Sequence, residues 1–338
     1  MNEILGNERI KEYISSALQK KRNSHAYIIE GEKGSGKKLI ADYFAAALLC
    51  EAGGSAPCGT CSSCIRMKNR NHPDLIRVTH EKPRTISVDD IREQVVNTVD
   101  IRPYDSPYKI YIIDEAEKMN ISAQNAILKT VEEPPEYGII FFLTVNKGIF
   151  LDTILSRCVH LTTQPVDRER IRLYLESRLG LSGAGADFAA GYAMGNVGKA
   201  VRIASSEEFG ALKDRLTDIL KSVHEAPAYE IMEKAGSLKG GKDSQDDILE
   251  IMRIWFRDLM ILKATDSADR LVFSEEWDIL KRQADSIRYD GAARIFGEIG
   301  KTEDRIRANV NPDNALILLF NIISEEFRNR KDREEIHG

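Results

Sequence analysis

The ten residues from Gly31 to Ile40, GEKGSGKKLI, carry the spacing of a phosphate-binding loop, G-x-x-x-x-G-K-[S/T], with Gly31, Gly36 and Lys37 in register and Gly34 inside the loop. Such a loop turns backbone N–H groups onto phosphate oxygens, and the following helix offers its positive end to the same anion. Lys37 would reach the outer phosphates. The next residue should be a Ser or Thr whose hydroxyl holds magnesium, and here it is Lys38, which has no oxygen to offer. ATP is therefore expected to find a cradle in which hydrolysis is badly impaired.

The second half of such a site is an apolar strand ending in acids, and KIYIIDEAEKM (109–119) supplies it. Asp114 is placed to hold a metal directly or through water, and Glu115 to polarise an attacking water. Asn146, at the polar end of LTVN (143–146), is grouped with these residues as a nucleotide-site candidate. A third group has four thiols, Cys50, Cys58, Cys61 and Cys64, in the spacing C-x7-C-x2-C-x2-C with turn-forming GGSAP and GT between them. Four soft ligands suit a closed tetrahedral Zn²⁺ site of structural type. An iron–sulfur cluster shares part of the spacing but lacks a nearby Cys-Pro completion here, and disulfides are the remaining alternative. The segment LSRC (155–158) is unremarkable on its own, an Arg157 ready for a surface ion pair beside Ser156 and Cys158.

The elements that must position these residues read as a parallel α/β layer. Apolar runs at 25–30, 74–78, 109–114, 139–145 and 158–161 alternate with helical periods at 37–49, 87–99, 120–132 and a short one near 152. Strands without polar alternation are buried on both faces, and such sheets bind ligands at their carboxyl ends. Ser87 with Asp90 three residues on marks a helix start, and Pro134 and Pro135 mark a stop. Beyond residue 165 the strand signals cease. The expected division is 1–165 for the nucleotide domain with its cysteine module at 50–64, 166–208 for a small helical lid broken by LSGAGA and GNVGKA, and 209–338 for a helical domain. In the last, GSLKGGKDSQ and DSADR are read as loops and RNRKDREEIHG as a solvated helix end.

With 338 residues the chain exceeds a single core. Its net charge of −5 argues against autonomous nucleic-acid binding, and Arg66, Lys68 and Arg70 beside the cysteines are read as a solvated face rather than a DNA-reading one. No apolar run suffices to span a bilayer, MNEILGNERIKEYI has an amphipathic helical pattern unlike a signal peptide, and a cytoplasmic setting is expected.

In this arrangement the chain resembles the clamp-loader branch of the AAA+ ATPases. The resemblance runs almost end to end through HAYIIEGEKGSGKK, the four-cysteine insert, HPDL (72–75), ISVDDIRE (86–93), KIYIIDEAEKMNISAQNAILKTVEEPP (109–135), SRC (156–158) and NVNPDNALILLF (309–320). It implies a RecA-like nucleotide domain with a zinc module, a helical lid, and a C-terminal helical collar that joins five subunits. It also implies that Arg157 is an arginine finger, entering the ATP site of a neighbouring subunit. The implied partners are gamma/tau-type ATPase subunits and a delta subunit in a heteropentamer, with the sliding clamp and primed DNA reached through the complex, by phosphate contacts where DNA is touched at all. Two departures from the motor subunits stand out: Lys38 in the loop, and Gly198 in GNVGKA where the lid would carry an Arg, with Lys199 and Arg202 out of register. Both imply a stator-like, non-hydrolysing position, so that any enzyme role is that of a subunit in a DNA polymerase holoenzyme. The alternative, a catalytically active gamma/tau-type ATPase, is favoured by Lys37, Asp114 and Glu115 and opposed by Lys38 and Gly198.

Overall fold

The computed structural model describes residues 4–337 except 21, 182, 237, 239–241 and 269. Its strands are β1 (Ala26–Glu30), β2 (Leu75–Val78), β3 (Lys109–Ile113), β4 (Gly138–Thr144) and β5 (Val159–Thr162). They form one parallel sheet in the order β2-β3-β4-β1-β5. Every residue of β3 and β4 is buried, which is why these segments read as unbroken apolar runs.

Alternate side chains feed two cores. On one face Tyr27, Ile29, Ile110, Ile112, Phe141 and Leu143 pack with α1 (Glu8–Gln19) and α2 (Lys37–Leu48). Tyr27, Phe44 and Phe141 form an aromatic cluster there, with ring centroids 5.1–5.4 Å apart. α3 (Ser62–Lys68) belongs to the cysteine module. On the other face Ile28, Tyr111, Ile113, Ile140 and Phe142 meet α4 (Val88–Ile91), α5 (Asn97–Val99), α6 (Ile121–Glu132) and α7 (Asp152–Leu155). The expected helix at 87–99 begins with a reciprocal capping box between Ser87 and Asp90, then passes through a π turn at Arg92–Val96 before α5.

The contacts group into two units. The first comprises residues up to Ile171 together with Met194–Lys199, and the second comprises Arg172–Ala193 and the residues from Ala200 onward. After α8 (Arg168–Leu179), α9 (Ala184–Tyr192) and α10 (Val197–Ala204), the chain continues as α11 (Glu207–Ser222), α12 (Ala228–Gly236), α13 (Lys242–Thr265), α14 (Trp277–Ser286), α15 (Tyr289–Arg307) and α16 (Pro312–His337). The second unit has its own apolar centre around Trp255, whose indole N–H donates to Gln283 Oε1 at 2.9 Å. Asp258, fully buried, accepts the backbone N–H groups of Val272 and Phe273 at 2.7 and 2.8 Å.

Helices begin inside three stretches read as breaks: α9 at Ala184 within LSGAGA, α10 at Val197 within GNVGKA and α13 at Lys242 within GSLKGGKDSQ. Residues 182, 237, 239–241 and 269 of LSGAGA, GSLKGGKDSQ and DSADR lie outside the described residues, as do the side chains of the RNRKDREEIHG tail from 329. Among the described residues, no helix is long and apolar enough to cross a membrane.

Candidate functional site

The loop follows β1 at the carboxyl end of the sheet. Gly31 N–H donates to Thr144 O at 3.0 Å, and Ser35 N–H closes the turn on Glu32 O at 3.1 Å. Gly34 and Gly36 have φ of +88° and +92°, left-handed values that L side chains rarely adopt, and α2 starts directly after Gly36. Lys37 lies within the loop, its Nζ donating to Gly31 O at 2.6 Å and Glu32 O at 2.9 Å. Burial depresses its pKa below the usual lysine value.

Lys38 reaches across to the end of β3. Its Nζ lies 2.6 Å from Asp114 Oδ2, so the residue that replaces the metal-binding hydroxyl is paired with the acid expected to help hold the metal. Magnesium demands oxygen ligands in near-ideal octahedral geometry at about 2.0–2.1 Å. With an ammonium in place of the ligating hydroxyl, and Asp114 already bonded to it, the loop and the strand end do not fit that ion.

Glu115 also departs from the catalytic arrangement. It has φ +50°, and its carboxylate accepts from Lys118 Nζ at 2.5 Å. The Lys118 hydrogen bond holds its pKa below the ordinary glutamate value, which weakens it as a general base. A cavity of about 290 Å³ opens between the loop and these acids, lined among others by Gly36, Lys37, Lys38, Asp114 and Glu115. Lys33 and Glu117 also line it and were not singled out from sequence, although Glu117 stands only two residues beyond Glu115. Asn146 does not line it. The side chain instead caps a short turn, its Oδ1 accepting Gly148 N–H at 2.8 Å.

The segment carrying Gly198 folds onto the loop within the first unit. Gly198 N–H donates to Gly34 O at 3.0 Å, and Asn196 Nδ2 donates to Lys33 O at 2.8 Å. A Cβ on residue 198 would lie 2.5 Å from Gly34 O and 2.8 Å from Gly34 Cα. An Arg there is therefore incompatible with this backbone contact. Arg202 forks onto Asp247, with both guanidinium nitrogens within 3.1 Å of the carboxylate.

Arg157 sits at the other end of the sheet. It precedes β5, whose Val159 pairs with Tyr27 near the start of β1, whereas the loop follows the end of β1. Five strand residues at about 3.3 Å each put roughly 16 Å between the two ends. The guanidinium is held by Glu132 Oε1 at 3.1 Å and Thr153 O at 3.1 Å and stays 41% exposed. The neighbouring Cys158 is half-buried, and desolvation pushes its thiol pKa up to about 12.

The sulfurs of Cys50, Cys58, Cys61 and Cys64 all lie within 4.8 Å of one another. Cys50–Cys61 and Cys58–Cys64 are each 3.9 Å apart, near the roughly 3.8 Å edge of a tetrahedron with metal–sulfur bonds of about 2.3 Å. Backbone N–H groups of Cys58, Cys61 and Cys64 point at the sulfurs of Cys50, Cys58 and Cys61 at 3.3–3.4 Å, a donor pattern that favours thiolates. Donors from Thr60 and Cys61 bring Cys58 down to about 6. The cluster could hold a metal with all four positions filled by protein. Arg66, one of the three neighbouring cations, is paired with Asp105.

The HPDL stretch ties this module to the sheet. His72 is buried, its Nε2 3.0 Å from Ser63 Oγ and its Nδ1 accepting Asp74 N–H at 3.2 Å. Asp74 in turn accepts the backbone N–H groups of Tyr104 and Asp105 at 2.5 and 3.0 Å.

Residues 6–167 match the family model described as DNA polymerase III, delta subunit. The chain is 27% identical to the DNA polymerase III subunit delta' of Bacillus subtilis, covering 96% of this chain and 98% of that protein. It is 28% identical to the tau subunit of the same organism over 88% of this chain, but spans only 60% of tau. Among solved structures, a gamma subunit-related protein from Thermotoga maritima aligns over 95% of this chain and 99% of that one, at 18% identity and a TM-score of 0.48. The resemblance to clamp-loader subunits read from the sequence is borne out, and it extends to delta-prime along nearly the whole chain.

Proposed function

We propose that this chain acts as the delta-prime-type, stator-like subunit of a DNA polymerase III clamp loader, assisting ATP-dependent placement of the sliding clamp on primed DNA. It lends Arg157 to the ATP site of a gamma/tau-type neighbour and does not hydrolyse ATP itself. The observation that supports this most strongly is the division of parts between the two ends of one sheet. At one end the catalytic cation position is filled by Lys38 on Asp114; at the other an exposed Arg157 lies too far from its own loop to serve it.

Within this reading, Cys50, Cys58, Cys61 and Cys64 hold a structural Zn²⁺, which supplies cross-linking and no open coordination position for chemistry. Residues 166–208 act as the lid and 209–338 as the collar that meets the gamma/tau and delta subunits. DNA contact, where this chain makes any, is to the phosphate backbone and is shared across subunits. A cytoplasmic setting follows from that role. Similarity to tau over most of the chain favours a second reading, an active motor ATPase, which the Lys38–Asp114 pair opposes.

The test is assembly. Mixed with gamma/tau-type and delta subunits of its own organism, the chain should enter a heteropentamer, in one copy by native mass. Failure to assemble in the presence of both subunits contradicts the reading.

A further inference from the structure

Loss of the hydroxyl accounts for the proposed lack of hydrolysis, but not for what the ammonium does in its place. In a magnesium-dependent loop the ion bridges the residue after the Lys, the acid at the end of the partner strand and the outer phosphate oxygens. Here Lys38 and Asp114 are joined directly, 2.6 Å apart. An ammonium has three donors, of which this contact uses one. The cavity beside it is lined by Lys33, Lys37 and Lys38 on the loop side, against Asp114, Glu115 and Glu117. Lys118 neutralises Glu115. The remaining balance, three ammonium groups against two carboxylates, favours an anion, while an entering divalent ion would have to displace Lys38 from Asp114 and face Lys37.

We infer that the loop binds a nucleoside di- or triphosphate without a divalent ion, the Lys38 ammonium standing where magnesium would otherwise sit. This goes beyond the trans role of Arg157 and concerns the chain alone. The test needs no partner subunit, so its failure would leave the assembly reading untouched.

The probe is a fluorescent mant-ADP, titrated with the purified full chain in excess EDTA and in millimolar magnesium. Saturable binding is expected in EDTA, with magnesium tightening it by less than about threefold. Lys37→Ala should abolish it, which separates loop binding from nonspecific association. Lys38→Thr restores an oxygen at an exposed position whose change leaves the core alone, and should make binding at least about tenfold tighter in magnesium than in EDTA. No saturable binding in EDTA, or strong dependence of the wild type on magnesium, overturns the inference. A Lys38→Thr variant as indifferent to magnesium as the wild type removes Lys38 from the role.

Discussion

Single residues decide what this glycine-rich loop can do, and Lys38 is the plainest case. The loss of a hydroxyl is legible in the sequence, because the motif fixes the register. The ion pair with Asp114 is not, because the two residues are distant in the chain and meet only when β1 and β3 sit in one sheet. Glu132 as the resting partner of Arg157 was hidden for the same reason. His72 illustrates the reverse: a motif residue whose meaning is structural. Its Nδ1 must stay unprotonated to accept Asp74 N–H, and burial lowers its pKa below 6.5. The sign follows from that direction. The contribution of His72 to stability is complete above its unfolded value and is lost as pH falls through the lowered folded one. His72→Ala should cost about 1–3 kcal/mol at neutral pH by urea unfolding, since it orphans buried partners. The difference from wild type should shrink as the pH falls below that range.

At the scale of elements, the parallel sheet was legible strand by strand because its central strands are buried on both faces, so burial writes itself as continuous Ile, Val and Phe. Ends shifted by a residue or so, and the π turn within 87–99 left no signature in the pattern. Gly198 was legible as a missing Arg, but its reason was not: the backbone of 196–198 packs on the loop at Gly34, with no room for a Cβ. Gly198→Ala should destabilise the chain by about 1–3 kcal/mol through overpacking. Gly297→Ala, in α15 with open space around it, should be neutral or stabilise by up to about 1 kcal/mol through helix propensity. Equal effects of the two substitutions in urea unfolding would contradict the close contact. For the cysteine module, elemental analysis should find about one zinc per chain. Cys61→Ser should lower both metal content and melting temperature, and iron in place of zinc would overturn the metal assignment.

Across the whole molecule, the proposed division of labour sets the Lys38–Asp114 pair at one end of the sheet against the exposed Arg157 at the other. The fold could be read from local patterns and the resemblance; the proposed trans role of Arg157 came from the resemblance alone, and the geometry that spans the sheet supports it. The most direct measurement is ATP turnover by the reconstituted loader in which only this chain carries Arg157→Ala, with the complex checked by native mass. Turnover at the site facing this chain should fall by about 10³ or more while the complex stays whole, in keeping with the worth of an arginine finger. An intact complex with undiminished turnover and clamp loading would contradict the claim that Arg157 works for the neighbouring subunit.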